Sequence, residues 1–193
     1  MRTANIKRET GETRISVTVN LDGNGQVIAK TGFNFIDHLL KSFGKYGMVD
    51  IELRSKSHDL ISHHLIEDIA ITFGQCLDKA LGQRTAITRF GYSSVPMDDS
   101  LTSVSIDLIK RRYCKLDLKL ERKEIEGISE EDIVHFFKSL MDNLIACIHI
   151  SVLYGNNDHH KIESAIKAFA VAFREAASKD TKRIGIPSTK GAM

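Results

Sequence analysis

A chain of 193 residues, 42% of them hydrophobic, can bury the core of one ordinary domain or of two fused small ones. Its formal net charge of +2, with acids and bases interspersed, argues against the basic stripe of a nucleic-acid binder and the polybasic patch of a membrane-surface protein. Cys76, Cys114 and Cys147 are odd in number and widely spaced, so they read as buried free thiols rather than a disulfide frame or a zinc knuckle. Met1 to Arg8 holds no apolar signal segment, and the longest apolar run, Leu144 to Tyr154, is too short to span a bilayer. The expectation is a cytoplasmic protein with no nucleic-acid or membrane partner.

In chain order, Ile15 to Leu21 alternates as a half-buried strand, meets the turn Asp22-Gly23-Asn24-Gly25, and predicts a hairpin with Gln26 to Ala29 as its return strand. Phe35 to Phe43 has helical spacing, and Met48 to Arg54 alternates as a strand. A helix opens near His63 and runs through Ile69, Phe73, Cys76, Leu77 and Ala80 to a stop at Gly82. Leu101 to Leu108 and Cys114 to Leu120 read as paired strands around Lys110-Arg111-Arg112, and Glu130 to Met141 as a helix. Leu144 to Tyr154 reads as a strand, and a last helix covers His159 to Ser178 with an apolar stripe through Ile162, Ile166, Phe169 and Phe173.

Two phrases recur. His63-His64-Leu65-Ile66-Glu67 returns 96 positions later as His159-His160-Lys161-Ile162-Glu163, and Phe35 to Phe43 resembles Asp132 to Leu140. The chain therefore reads as a duplication, residues 1–95 and 96–193, forming one compact unit of α+β halves packed helix to helix.

A histidine pair followed by an in-phase glutamate is a way to mount metal ligands on a rigid helix. One such histidine is ordinarily a satisfied structural residue; two pairs opening two helices are hard to explain as packing, because half-buried imidazoles need partners. Adjacent residues point about 100° apart on a helix, so each pair should serve two ions, each ion taking three imidazoles and one carboxylate, at subunit interfaces. His38 and His149 lie on or beside these helix starts, whereas His58 and His135 read as structural. Spacing does not name the metal. Lys167 shares the face of His160 and Glu163, which suggests an anionic substrate, and Arg89, Arg111 and the 186–191 tail offer phosphate contacts.

From Arg2 to its last residues the chain resembles the imidazoleglycerol-phosphate dehydratase family. The resemblance rests on Arg8-Glu9-Thr10-Gly11-Glu12-Thr13, Phe35-Ile36-Asp37-His38-Leu39-Leu40, His63-His64 with Glu67-Asp68, and Ile87-Thr88-Arg89-Phe90-Gly91. Pro96-Met97-Asp98-Asp99, His159-His160 with Glu163, Lys167-Ala168-Phe169-Ala170 and Pro187-Ser188-Thr189-Lys190-Gly191 complete it.

The resemblance implies duplicated halves of the ribosomal protein S5 domain 2-like type, each a small β-sheet layered with two α-helices. It implies a 24-subunit homo-oligomer with two Mn²⁺ per active site, held between subunits by His38, His63, His64, Glu67, His149, His159, His160 and Glu163. The phosphate would meet Arg89, Arg111, Lys167, Ser188 and Lys190, and Glu12 would be the acid/base.

The implied reaction dehydrates D-erythro-imidazoleglycerol 3-phosphate to imidazoleacetol phosphate in L-histidine biosynthesis, through an imidazolate bridging the two ions and a diazafulvene-like intermediate. The alternatives are a non-catalytic metal-binding paralogue and a dinuclear-metal phosphoester hydrolase. Ser42, Tyr46, Ser62, Asp99 and the Lys110-Arg111-Arg112 run depart from the family pattern; every implied metal ligand is present.

Overall fold

The computed structural model describes residues 1–191. Its first half runs β1 (Thr3–Glu9), β2 (Thr13–Asn20), β3 (Val27–Lys30), α1 (Asn34–Gly47), β4 (Asp50–Ser57) and α2 (Ser62–Leu81). The second runs β5 (Phe90–Met97), β6 (Ser100–Asp107), β7 (Tyr113–Asp117), the short β8 (Glu124–Ile125) and β9 (Ile128–Ser129), α3 (Glu130–Asn143), β10 (Cys147–Tyr154) and α4 (Asp158–Ala177). The two four-stranded sheets have orders β1-β2-β4-β3 and β5-β6-β10-β7. They are the same topology written twice, as the repeat predicts, and only the β8–β9 hairpin has no counterpart in the first half. The second sheet begins at Phe90, so position 95/96 lies inside β5 and the break between halves falls in residues 82–89.

Two strand pairings differ from the sequence reading. Val27–Lys30 does not return along β2 but pairs parallel with β4, which itself lies antiparallel to β2. The turn before it is organised by Asp50, whose Oδ1 accepts from the N–H of Asn24 and of Gln26, each at 2.9 Å. The true hairpin is β1–β2, closed at Thr10–Thr13. In the second half, by the same topology, β7 pairs parallel with β10 and not with β6. A parallel return needs a crossover, and α1 and α3 supply it.

Each sheet is apolar on its inner face: Ile15, Val17 and Val19 of β2 and Ile148, Ile150 and Val152 of β10 are fully buried. The helices cover these faces, α2 on β1 and β2, α4 on β5 and β6, and they meet across the middle as α1 against α4 and α2 against α3. Phe43 of α1 seals this meeting, its ring 5.4 Å from Phe73 and 5.5 Å from Phe169 in edge-on geometry. Gly74 permits the α2–α3 approach, since a Cβ there would stand 2.5 Å from Leu140 O. The result is sheet, helices, helices, sheet, with the starts of α2 and α4 beside their partner helices.

Cys76 is fully buried, and burial pushes its thiol up to about 11. Cys114 and Cys147 are free but only half-buried. No helix among the described residues is long and apolar enough to cross a membrane.

Candidate metal centre

The histidine phrases open α2 and α4, and a further histidine joins each from the opposite half. Beside α4, His38 of α1 places Nε2 3.4 Å from Glu163 Oε1, and His159 places Nε2 3.4 Å from Glu163 Oε2. Glu163 is itself largely buried. Burial opposes its ionisation, but the ammonium of Lys167, 2.8 Å away, with His38 and His159, outweighs that and holds its carboxyl below the usual value. Asn34, Phe35, His38, Glu126, His159 and Glu163 line an open cavity of about 410 Å³ here.

Beside α2 the arrangement repeats. His135 of α3 places Nε2 3.0 Å from Glu67 Oε1, and its ring lies 4.8 Å from that of His63. Both clusters hold their donor atoms close enough for a shared ion. His135, read as structural in the sequence, is the true counterpart of His38. His149 is in neither cluster: β10 alternates, so while Ile148 and Ile150 face the helices, His149 faces outward, exposed, beside Tyr113 and 3.6 Å from Cys147 Sγ.

His64 and His160 diverge from their neighbours, as the 100° step requires. His64 Nδ1 is 2.6 Å from Asp59 and 3.7 Å from Glu12, which raises the imidazole pKa and lowers that of Asp59 to about 2, chiefly through the bond between them. His160 Nδ1 is 2.6 Å from Asp99, whose other oxygen accepts from the N–H of Asn156 and Asn157; these bonds hold the Asp99 carboxyl far below its usual range. With Asp132 on His63 Nδ1 at 2.6 Å and Glu126 on His159 Nδ1 at 3.1 Å, all four helix-start imidazoles have a carboxylate on Nδ1. That pattern fixes a ring and leaves Nε2 to act as the ligand. Sequence reasoning missed all four carboxylates, which reach their rings from 5 to 69 positions away.

Glu12 sits at the β1–β2 turn, anchored by Thr13 Oγ1 and Arg8 Nε donating to the buried Asp68 of α2. The expected phosphate contacts divide into two groups. Lys167 lies with the first cluster. Arg89 is at the far end of α4: its N–H donates to Ala176 O, its guanidinium is bidentate to Asp107, and Nη1 holds Pro187 O at 2.7 Å beside Ser188 and Lys190. Arg111 is exposed on the adjacent loop. Nine residues of α4 separate Lys167 from Ala176, about 14 Å along the axis, so one chain does not close the set around a single phosphate.

Fold and site together define a two-halved α+β protein with two His–His–Glu clusters, one at each seam between the halves, and a third group of Glu12, Asp59 and His64 at the start of α2. The sequence model for imidazoleglycerol-phosphate dehydratase matches residues 31–173. A relative of that name from Dehalococcoides mccartyi (strain CBDB1) is 43% identical over 193 residues, covering 100% of this chain and 97% of the relative; one from Chlorobium chlorochromatii (strain CaD3) is 44% identical over 191 residues, covering 98% and 96%. The solved imidazoleglycerol-phosphate dehydratase of Pyrococcus furiosus superposes with a TM-score of 0.83 at 34% identity, over 97% of this chain and 100% of that one. The Staphylococcus aureus enzyme gives 0.83 at 26% identity, over 92% and 99%. The chain belongs to the imidazoleglycerol-phosphate dehydratase family, and is thereby an enzyme of the hydro-lyase class.

Proposed function

We propose that the chain dehydrates D-erythro-imidazoleglycerol 3-phosphate to imidazoleacetol phosphate in L-histidine biosynthesis. The observation that carries this reading is family membership over the whole chain with both imidazole–carboxylate clusters formed. The donor sets fit a divalent cation: His38, His159 and Glu163 form one, His63, His135 and Glu67 the other, with Nδ1 of His63 and His159 already held. Each set is one imidazole short of the three-plus-one shell; His64 and His160, held through Nδ1 by Asp59 and Asp99, would each offer Nε2 to a neighbouring copy, that of His160 from beside Asp98 Oδ2 at 3.4 Å. His135 takes the place expected for His149.

The metal in this reading is manganese, two ions per active site, and when bound it supplies Lewis acidity toward the substrate's imidazole ring. The ring-assisted route set out from the family resemblance is part of the same proposal. The chain's own residues would do the rest. Lys167 near one cluster, with Arg89, Arg111, Ser188 and Lys190 from a neighbouring copy, would hold the phosphate and fix the side chain of the substrate; such orientation is worth several kcal/mol, about 7–11 at its best. Glu12, on the surface of an isolated chain, would become part of an enclosed site at the interface and take the proton from the carbon next to the hydroxyl-bearing one. The division of both the ligands and the phosphate contacts within one chain supports an oligomeric site, and the 24-subunit assembly is the form proposed.

The test is turnover by chelator-stripped protein before and after manganese is added. Metal-dependent imidazoleacetol phosphate supports the dehydratase; none, despite bound metal and an intact assembly, leaves the non-catalytic paralogue, and inorganic phosphate release instead indicates the hydrolase. A Glu12→Gln enzyme with undiminished turnover removes Glu12 from the mechanism.

A further inference from the structure

We infer that Glu126 is a positioning residue, which sets the orientation of His159 and through it the cation affinity of the first cluster; this rests on the metal reading above. The two halves match element for element except between the third strand and the first helix of each. In the first half that link is residues 31–33; in the second it is 118–129, and the added length folds as the β8–β9 hairpin.

Glu126 and Gly127 are the two turn residues of this hairpin, at φ +52° and +78°. A two-residue turn of that kind favours Asn or Gly at its first position, so a glutamate there is conformationally strained. The strain coincides with a contact. Glu126 Oε1 is 3.1 Å from His159 Nδ1, while Nε2 of the same ring faces Glu163 at 3.4 Å. The ring is therefore spanned between two carboxylates; a proton on Nδ1, donated to the hairpin, would leave the Nε2 lone pair for an ion in the cluster.

The segment leading into the hairpin is fastened to the very helix turn that carries His159. Lys161 and Asp158, each 1% exposed, pair at 2.9 Å; Lys161 Nζ also donates to Lys119 O, and Asp158 Oδ2 accepts from the N–H of Glu121 and of Arg122. Hairpin and helix start thus form one body. The second cluster needs no such insertion, because Asp132 in the first turn of α3 reaches His63 Nδ1 directly. The insertion supplies to one half what α3 supplies to the other.

Manganese binding by the full-length, chelator-stripped protein, followed by the paramagnetic resonance of free Mn²⁺, tests this alongside thermal melting. Glu126→Gly relieves the left-handed strain, so it should melt at the same or a higher temperature, yet bind one of its two classes of manganese 10- to 100-fold more weakly, the usual cost of losing such a partner. Glu126→Gln, which keeps an acceptor on the ring, should lose less; it also carries the test if the glycine variant does not fold. Unchanged manganese affinity in both variants overturns the inference. A wild-type chain that binds no manganese overturns the metal reading and this one with it.

Discussion

Replacing His135 and His149 in turn by Asn separates the two imidazoles that compete for one place in the second cluster. Asparagine keeps much of the volume but has no basic ring nitrogen. His135 Nε2 is 3.0 Å from Glu67 and its ring packs at 4.8 Å from His63, so its loss removes a donor from the cluster itself. Losing a partner one bond further out already costs on the order of 10–100-fold. A direct donor should cost at least about 100-fold in affinity for one ion per chain, or about 2.8 kcal/mol. His149 is exposed, with a 3.6 Å approach to a thiol as its one polar side-chain contact among the described residues, so its replacement belongs with surface changes of about 0.5 kcal/mol, roughly twofold. Manganese titration of both stripped variants, with melts to verify folding, gives the comparison. A His149→Asn protein that loses an ion while His135→Asn keeps both would refute the reasoning.

Two further perturbations test the frame that holds the site. A Cβ at Gly91 of β5 would stand 2.0 Å from Ala172 O and 2.8 Å from Ala176 N, so Gly91→Ala must lift the strand from α4; denaturant unfolding should show a loss of about 1–3 kcal/mol, whereas Gly11→Ala, with nothing within 4 Å, should show none. Lys161→Met should cost about 3–5 kcal/mol, because it removes the buried cation 2.9 Å from Asp158 and leaves it the exposed Arg122 at 3.8 Å. Burial opposes ionisation of Asp158, but bonds from Arg122 N–H, Lys161 and Glu121 N–H prevail and lower its pKa. A lowered carboxyl pKa gives stability that is full above the unfolded value of about 3.9 and is lost as pH falls through the folded one. Melting temperature against pH should thus fall less steeply below about pH 4 in Asp158→Asn, and an unchanged slope would remove the pair as the cause.

All four helices and most of the longer strands were legible because their signals are local, while β1, β5 and the β8–β9 hairpin went unread. Helical spacing marks α2 from His63 to a stop at Gly82, and alternation marks β2, β4 and β10, within about three residues of what is observed. The pairing of those strands was not legible. Alternation says that Val27–Lys30 is extended but not which neighbour it meets, and the decisive group, the Asp50 carboxylate that gathers the preceding turn, lies 24 positions beyond Gln26. The same ambiguity misplaced β7, since one topology is used twice.

The site divides along similar lines. The histidine phrases were visible because each sits within one helix turn. His135 was visible in another sense: the repeat that aligns Phe35 to Phe43 with Asp132 to Leu140 brings it opposite His38, and a pseudo-twofold arrangement that uses one must use the other. His149 has no such counterpart among the first-half histidines, and its strand turns it away from the helices. The carboxylates on the four Nδ1 atoms leave no sequence signature, because Asp and Glu in turns and first helical turns are common for capping reasons alone. Only the fold shows that these particular ones end on imidazoles: Asp59 from the loop before α2 and Asp99 from the β5–β6 turn, Asp132 from the helix the repeat requires, and Glu126 from the hairpin that breaks it. Where a duplicated chain departs from its own symmetry, as at that hairpin, the departure marks what the two clusters do not share.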